Sequence, residues 1–262
     1  MSYLIPVGLF ALLGAVSGVL LTAVSRAFAV KTDERLEAVK EALPQVNCGA
    51  CGYSGCADYA GAVIGGAPCN LCKPGGADVA AKVAEIMGVA DEGAQSMRAF
   101  VRCGGGCDKA AHKYVFGGIS SCATCNKFYN GSKGCTSGCL GYGDCVRVCP
   151  QGAITITDRI ASVDIRKCIG CGLCAAECPN NLIALRPMTQ RFEVACLSAE
   201  KGKVTRQHCS QGCIACGMCV RNCPEKAIRI VDDHAQIDAD LCKGCGLCKE
   251  KCPTGAIIEV KP

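Results

Sequence analysis

The sequence predicts an α+β chain: an N-terminal transmembrane helix, a small α-helical cysteine-bearing domain, and two copies of one small mixed module. Three observations carry this prediction. Residues 4–25 (LIPVGLFALLGAVSGVLLTAVS) are 22 positions without a charge. Cysteine supplies 27 of 262 residues, mostly in tight runs. Eight of those cysteines, at 135, 139, 145, 149, 168, 171, 174 and 178, recur at one offset of 74 residues, at 209, 213, 219, 223, 242, 245, 248 and 252.

The uncharged run is long enough to cross a bilayer core of about 30 Å as a helix. No basic residue precedes it, whereas Arg26, Lys31 and Arg35 follow. Positive-inside bias then puts the N-terminus outside a cell (inner) membrane and the bulk of the chain in the cytoplasm. A cleaved signal peptide, with AFA at 27–29 as its cleavage site, is the alternative that the missing basic leader disfavours. Residues 31–46 carry charges of both signs with Leu36, Val39 and Leu43 at helical spacing, and Pro44 ends the pattern. This reads as an amphipathic linker helix, a solvated stalk.

Cysteine at this density means a disulfide scaffold or a metal-thiolate protein. With one or two residues between neighbours the thiols are too close to bridge one another without strain, so thiolates in a reducing compartment are favoured. There is no Trp, aromatics are 5% and Gly supplies 32 residues, an inventory for several small domains rather than one large apolar core.

The 74-residue offset also carries Cys122 onto Cys196, so residues 122–188 and 196–262 read as two copies of one module. Between the cysteine runs of each copy stand AITITDRIASVDI and AIRIVDDHAQIDA, alternating apolar residues around a polar turn, the pattern of a β-hairpin. Residues 78–88 (DVAAKVAEIMG) read as a helix and residues 91–98 as a linker.

Cys168, Cys171, Cys174 and Cys178, followed by Pro179, fit the C-x2-C-x2-C-x3-C-P run of bacterial [4Fe–4S] ferredoxins. Cys213, Cys216, Cys219, Cys223 with Pro224 repeat it, as do Cys242, Cys245, Cys248, Cys252 with Pro253. Three thiolates two residues apart can wrap three corners of one cube, while the fourth faces away and ligates a partner cube. The predicted sets are Cys168, Cys171, Cys174 with Cys149; Cys213, Cys216, Cys219 with Cys252; and Cys242, Cys245, Cys248 with Cys223.

One run is irregular, because Tyr142 stands where the middle ligand belongs. Cys135 is taken to supply the missing thiolate, giving Cys135, Cys139, Cys145 and Cys178, and its counterpart Cys209 is left spare or in competition with Cys216. The first group, Cys48, Cys51, Cys56 and Cys72, suits a single cube wrapped by one glycine-bearing loop, with Cys69 as the alternative fourth ligand. Five [4Fe–4S] clusters are therefore expected. Cys103, Cys107, Cys122 and Cys125 leave a sixth open against ordinary buried or free thiols, and Cys69, Cys196 and Cys209 have no assigned role.

Zinc is the competing metal. Its sites commonly show two C-x2-C pairs a dozen or more residues apart, which the Pro-terminated runs do not, though the first group leaves more room for it. The formal charge of +5 counts every cysteine as neutral. Each filled cluster adds roughly −2, bringing the chain to about −5, and no basic run with aromatics argues for nucleic acid. His112, His208 and His234 are isolated, and no glycine-rich loop follows a strand as a nicotinamide or flavin site requires.

These features resemble the B subunit of Rnf complexes, the membrane-bound ion-translocating (Na+ or H+) ferredoxin:NAD oxidoreductases. The likeness rests on the N-terminal span, on LPQVNCGACGYSGC followed by CKPGG, and on the C-terminal ferredoxin-type runs; two copies of the latter suggest the longer clostridial-type members. The resemblance implies two ferredoxin-like modules, soluble reduced ferredoxin as electron donor, other Rnf-type membrane and peripheral subunits as partners, and relay of electrons to a membrane core, with NAD and flavins on other subunits. A polyferredoxin subunit of another anaerobic redox enzyme is the alternative, since the first-group motif also resembles one in corrinoid-protein enzymes. The expected layout is an anchor at 1–30, a linker helix at 31–46, a single-cluster domain at 47–98, a connecting segment at 99–134, dicluster modules at 135–188 and 209–262, and a linker at 189–208.

Overall fold

The computed structural model describes residues 4–27, 33–90 and 93–260. Helix α1 (Leu4–Ala27) contains a segment, Val7–Ser25, long and apolar enough to cross a membrane by length and composition, with no side chain of that segment buried against the rest of the chain. Two of its hydroxyls close on the helix itself, Ser17 Oγ donating to Leu13 O at 2.8 Å and Thr22 Oγ1 to Gly18 O at 2.7 Å, which satisfies them without an outside partner. Lys31 and most of the AFA segment lie outside the described residues.

Helices α2 (Glu34–Ala42), α3 (Cys56–Ile64) and α4 (Gly76–Met87) form one small core. Val39 and Leu43 are fully buried against Tyr59, Ala60, Val63 and Val83. Helix α2 is therefore part of this domain and not a solvated stalk. Its apolar stripe finds α3 and α4 because the pattern is wide enough to bury a face.

Strand β1 (Met97–Val101) follows, then the short helices α5 (Cys122–Asn126) and α6 (Asp144–Arg147). Strands β2 (Ile154–Thr157) and β3 (Ile160–Val163) form the expected hairpin, Ile154 opposite Val163 and Thr157 opposite Ile160. Asp158 and Arg159 turn it with φ of 52° and 55°, the paired left-handed geometry of a two-residue I′ turn. Helix α7 (Leu173–Glu177) and strand β4 (Ile183–Pro187) complete the unit. β1 pairs antiparallel with β4, Val101 opposite Ile183, so residues 97–101 belong to the first module and are not a linker.

The second copy repeats the plan. Strand β5 (Phe192–Val194) and helix α8 (Gly202–His208) precede α9 (Met218–Arg221), the hairpin of β6 (Ile228–Val231) and β7 (His234–Ile237), α10 (Leu247–Glu250) and β8 (Ile257–Glu259). β5 pairs antiparallel with β8, Val194 opposite Ile257, which makes residues 192–194 structural in the second module rather than connecting. Sequence patterning shows hairpins because their halves are adjacent; β1 and β5 find partners over 80 and 60 residues away, beyond any local signal. Each module has its own core, Ile154, Leu182 and Ile183 in the first and Ile228, Ile237 and Ile257 in the second, with cysteines forming one side of both.

Candidate metal centres

Each cysteine group is delivered by local chemistry. In the helical domain, Asn47 Oδ1 accepts the Cys56 N–H at 2.8 Å at the start of α3. The Tyr59 hydroxyl donates to Pro68 O at 2.8 Å and accepts from Leu71 N–H at 3.2 Å, pinning the loop that brings Cys72 back. Cys48, Cys51, Cys56 and Cys72 then line one cavity, whose lining does not include Cys69. Burial, joined by the Cys56, Cys48 and Cys51 thiols, raises the pKa of Cys72.

In the modules, Gly172 and its repeat counterpart Gly246 have φ of 80° and 83° at the starts of α7 and α10. This left-handed step turns the chain between the second and third thiols of a run, and a side chain there would be strained. The result is a set of cysteine quartets. Burial raises Cys174 to about 11, and the Cys168, Cys171 and Cys149 thiols around it add to the effect. Cys248 is raised to about 11 by burial and by Cys242, Cys245 and Cys223. Cys213, Cys216, Cys219 and Cys252 share a cavity. In every case the outlying fourth cysteine comes from the other run of the same module.

One expected set is not formed. Cys139, Cys145 and Cys178 line a cavity together with Cys122, not Cys135. Cys135 lies in a different cavity, with Cys103, Cys196 and Cys209. Cys122 reaches the first cavity because α5 is held by Asp144, whose carboxylate accepts the Cys122 and Ala123 N–H groups at 2.9 Å each. Burial pushes Cys145 up to about 12, helped by the Cys139, Cys122, Cys178 and Cys174 thiols. Sequence proximity favoured Cys135; no local pattern marks Cys122, whose repeat counterpart Cys196 lines a different cavity.

These sites suit a cationic core of several atoms. Buried thiols that raise one another's pKa resist ionising together, unless the proton is exchanged for metal charge. Among the described residues no three His, Cys, Asp or Glu side chains converge closely enough for a single metal ion, and the thiols surround cavities instead. Backbone amides point at several of the sulfurs: Ala153 N–H at Cys149 (3.3 Å), and Ala99 at Cys168, Leu182 at Cys178 and Ala235 at Cys213 (3.4 Å each). Such donors stabilise thiolate charge and tune reduction potential.

Residues 43–74 match a family model described as a putative Fe-S cluster, and residues 127–179, 167–228 and 212–256 each match a 4Fe-4S dicluster domain. The chain is 41% identical over 242 residues to the B subunit of the Na(+)-translocating ferredoxin:NAD(+) oxidoreductase complex of Acetobacterium woodii, covering 92% of this chain and 73% of that one. It is 42% identical over 234 residues to the B subunit of the proton-translocating ferredoxin:NAD(+) oxidoreductase complex of Clostridium ljungdahlii, 88% of this chain and 82% of that one. This chain belongs to the family of Rnf complex B subunits. The B subunit of the ion-translocating oxidoreductase complex of Methanosarcina acetivorans is 36% identical over 232 residues, 88% of each chain. Within this Rnf-family chain the match over 167–228 straddles both copies, which would pair the run at 168–178 with that at 213–223. The geometry pairs them otherwise: Cys178 sits with Cys139 and Cys145, and Cys223 with Cys242, Cys245 and Cys248.

Proposed function

We propose that this chain takes electrons from soluble reduced ferredoxin and relays them to the membrane-embedded partners of an ion-translocating ferredoxin:NAD oxidoreductase. The observation that carries the reading is the gathering of cysteines from separate runs into quartets, each with at least one buried thiol. Bound [4Fe–4S] clusters supply one-electron transfer without proton movement.

Five quartets are the proposed ligands: Cys48, Cys51, Cys56, Cys72; Cys122, Cys139, Cys145, Cys178; Cys149, Cys168, Cys171, Cys174; Cys213, Cys216, Cys219, Cys252; and Cys223, Cys242, Cys245, Cys248. The chain's own work is to hold these thiolates, direct amide N–H groups at them and exclude water. Helix α1 anchors the chain in the lipid bilayer through residues 4–25, N-terminus outside, with the cluster domains in the cytoplasm. Other Rnf-type membrane and peripheral subunits are its partners, and NAD is reduced elsewhere in the complex.

The test is anaerobic extraction of the protein from membranes, with iron and sulfide analysis and reduction by ferredoxin. At least about twenty irons per chain are expected for five four-iron clusters, with bleaching on addition of reduced ferredoxin. A colourless protein holding zinc, or one that ferredoxin does not reduce, overturns the reading.

A further inference from the structure

Four cysteines outside these sets meet in space. Cys103, Cys135, Cys196 and Cys209 line one cavity, as Cys122, Cys139, Cys145 and Cys178 line another. They arrive on four separate segments, after β1, ahead of α6, after β5 and at the end of α8. Cys135 and Cys209 are repeat counterparts, so each module contributes one cysteine from the same position.

Backbone bonds fasten these segments across the module boundary. Gly104 N–H donates to Ala195 O at 2.9 Å, Ala111 N–H to His208 O at 2.8 Å and Ser210 N–H to Lys109 O at 2.9 Å. Gly105 packs against Cys209 so closely that a Cβ there would lie 2.9 Å from its Sγ. The cavity is also lined by Lys133, only 1% exposed, whose Nζ donates to Gly105 O at 2.6 Å and which forms no carboxylate ion pair among the described residues. A buried ammonium needs compensating negative charge nearby. The Asp158 carboxylate supplies part of that charge, and four thiolates on a 2+ core would add about −2.

The repeat explains why the four are free to meet. In the second copy Cys216 takes the middle ligand position, which releases Cys196; in the first, Tyr142 stands there and Cys122 is consumed. Cys135 is thereby left available beside Cys103. The cavity borders both modules, since Cys139 N–H donates to Cys103 Sγ at 3.4 Å and the Cys213 N–H faces the Cys196 thiol.

We propose that Cys103, Cys135, Cys196 and Cys209 bind a sixth [4Fe–4S] cluster that joins the two modules electrically. The site rests on reading the other quartets as cluster ligands. It accepts one electron from the cluster beside Cys139 or Cys213 and returns one to the other, with reduced ferredoxin as the reductant and no bond or proton exchanged.

The test is iron, sulfide and zinc analysis, with EPR spin integration, on the full chain purified without oxygen. The wild type is expected to hold about 24 irons rather than about 20. Cys135→Ser and Cys209→Ser each lower the count by about one sixth, as Cys248→Ser does, while Cys125→Ser leaves it unchanged. A wild-type count near 20, or one zinc in addition to about 20 irons, overturns the sixth site even where the variants do not fold. An iron content that Cys248→Ser does not lower would instead sink the reading of the quartets as clusters.

Discussion

The carboxylate of Asp144, at the first turn of α6, accepts the backbone N–H of Cys122 at 2.9 Å and so holds the start of α5 against the cluster cavity. The same carboxylate takes the Ala123 N–H and the Ser121 hydroxyl at 2.9 Å each and pairs with Arg147. Asp144 is 2% exposed. Burial works to raise its pKa, but these donors outweigh it and hold the carboxyl below its usual range.

Asp144→Ala should therefore strand two N–H groups and loosen Cys122. Unsatisfied buried donors cost roughly 1–3 kcal/mol each, so a lower unfolding midpoint is expected, with faster release of about four irons to a chelator. Asp144→Asn keeps one acceptor oxygen and should fall between. Unchanged chelation kinetics in Asp144→Ala would refute the positioning role.

Tyr142 occupies the place that Cys216 holds in the second copy. Its ring packs edge-on against Phe116, centroids 5.6 Å apart, and lies under the Arg159 guanidinium at 4.9 Å. Cys122→Ser should cost one cluster. The double variant Cys122→Ser with Tyr142→Cys should restore it, because the regular run is then complete. Iron counts and EPR on both proteins check this, and full iron in Cys122→Ser alone would contradict the assignment.

Glu193 on β5 is 3% exposed among Arg98, Arg102 and Arg186 of the first module. Burial raises its pKa to about 7, the three arginines offsetting only part of that. A raised folded-state value means that its contribution to stability is complete below the unfolded value near 4.5 and is lost as pH climbs through about 7. Glu193→Gln should flatten this dependence, gaining on the wild type between pH 5 and pH 8 by a difference on the order of 3 kcal/mol. Denaturation midpoints at the two pH values measure it, and parallel curves would refute it.

The Cys48 thiol lies close enough to Cys171 to help raise its pKa, after burial. The helical domain of α2, α3 and α4 therefore faces the first module. In the reduced protein, the EPR signals of these two clusters should be broadened by spin coupling. Cys51→Ser should sharpen the first-module signal, and Cys248→Ser should leave it as it is.

Much of the site was legible because cluster binding writes itself into spacing. The Pro-terminated runs announced which thiols act together, and the 74-residue repeat announced that two modules exchange ligands internally. The hairpins at 154–163 and 228–237 were equally visible, since alternation and a two-residue polar turn are local signals. Helix α2 misled because its burial depends on α3 and α4, whose faces no pattern within α2 reports.

The order of residues alone was enough for the chemistry: thiolates in ferredoxin-type runs, an apolar helix ahead of them, and a duplicated module. Which solitary cysteines join which group was settled by folding, which brings Cys122 rather than Cys135 to Cys139 and draws Cys103, Cys135, Cys196 and Cys209 together. Ligands within a run are placed by a few backbone dihedrals. Those four are instead placed by strand pairing and carbonyl bonds between segments up to about a hundred residues apart, and such closure leaves no local trace.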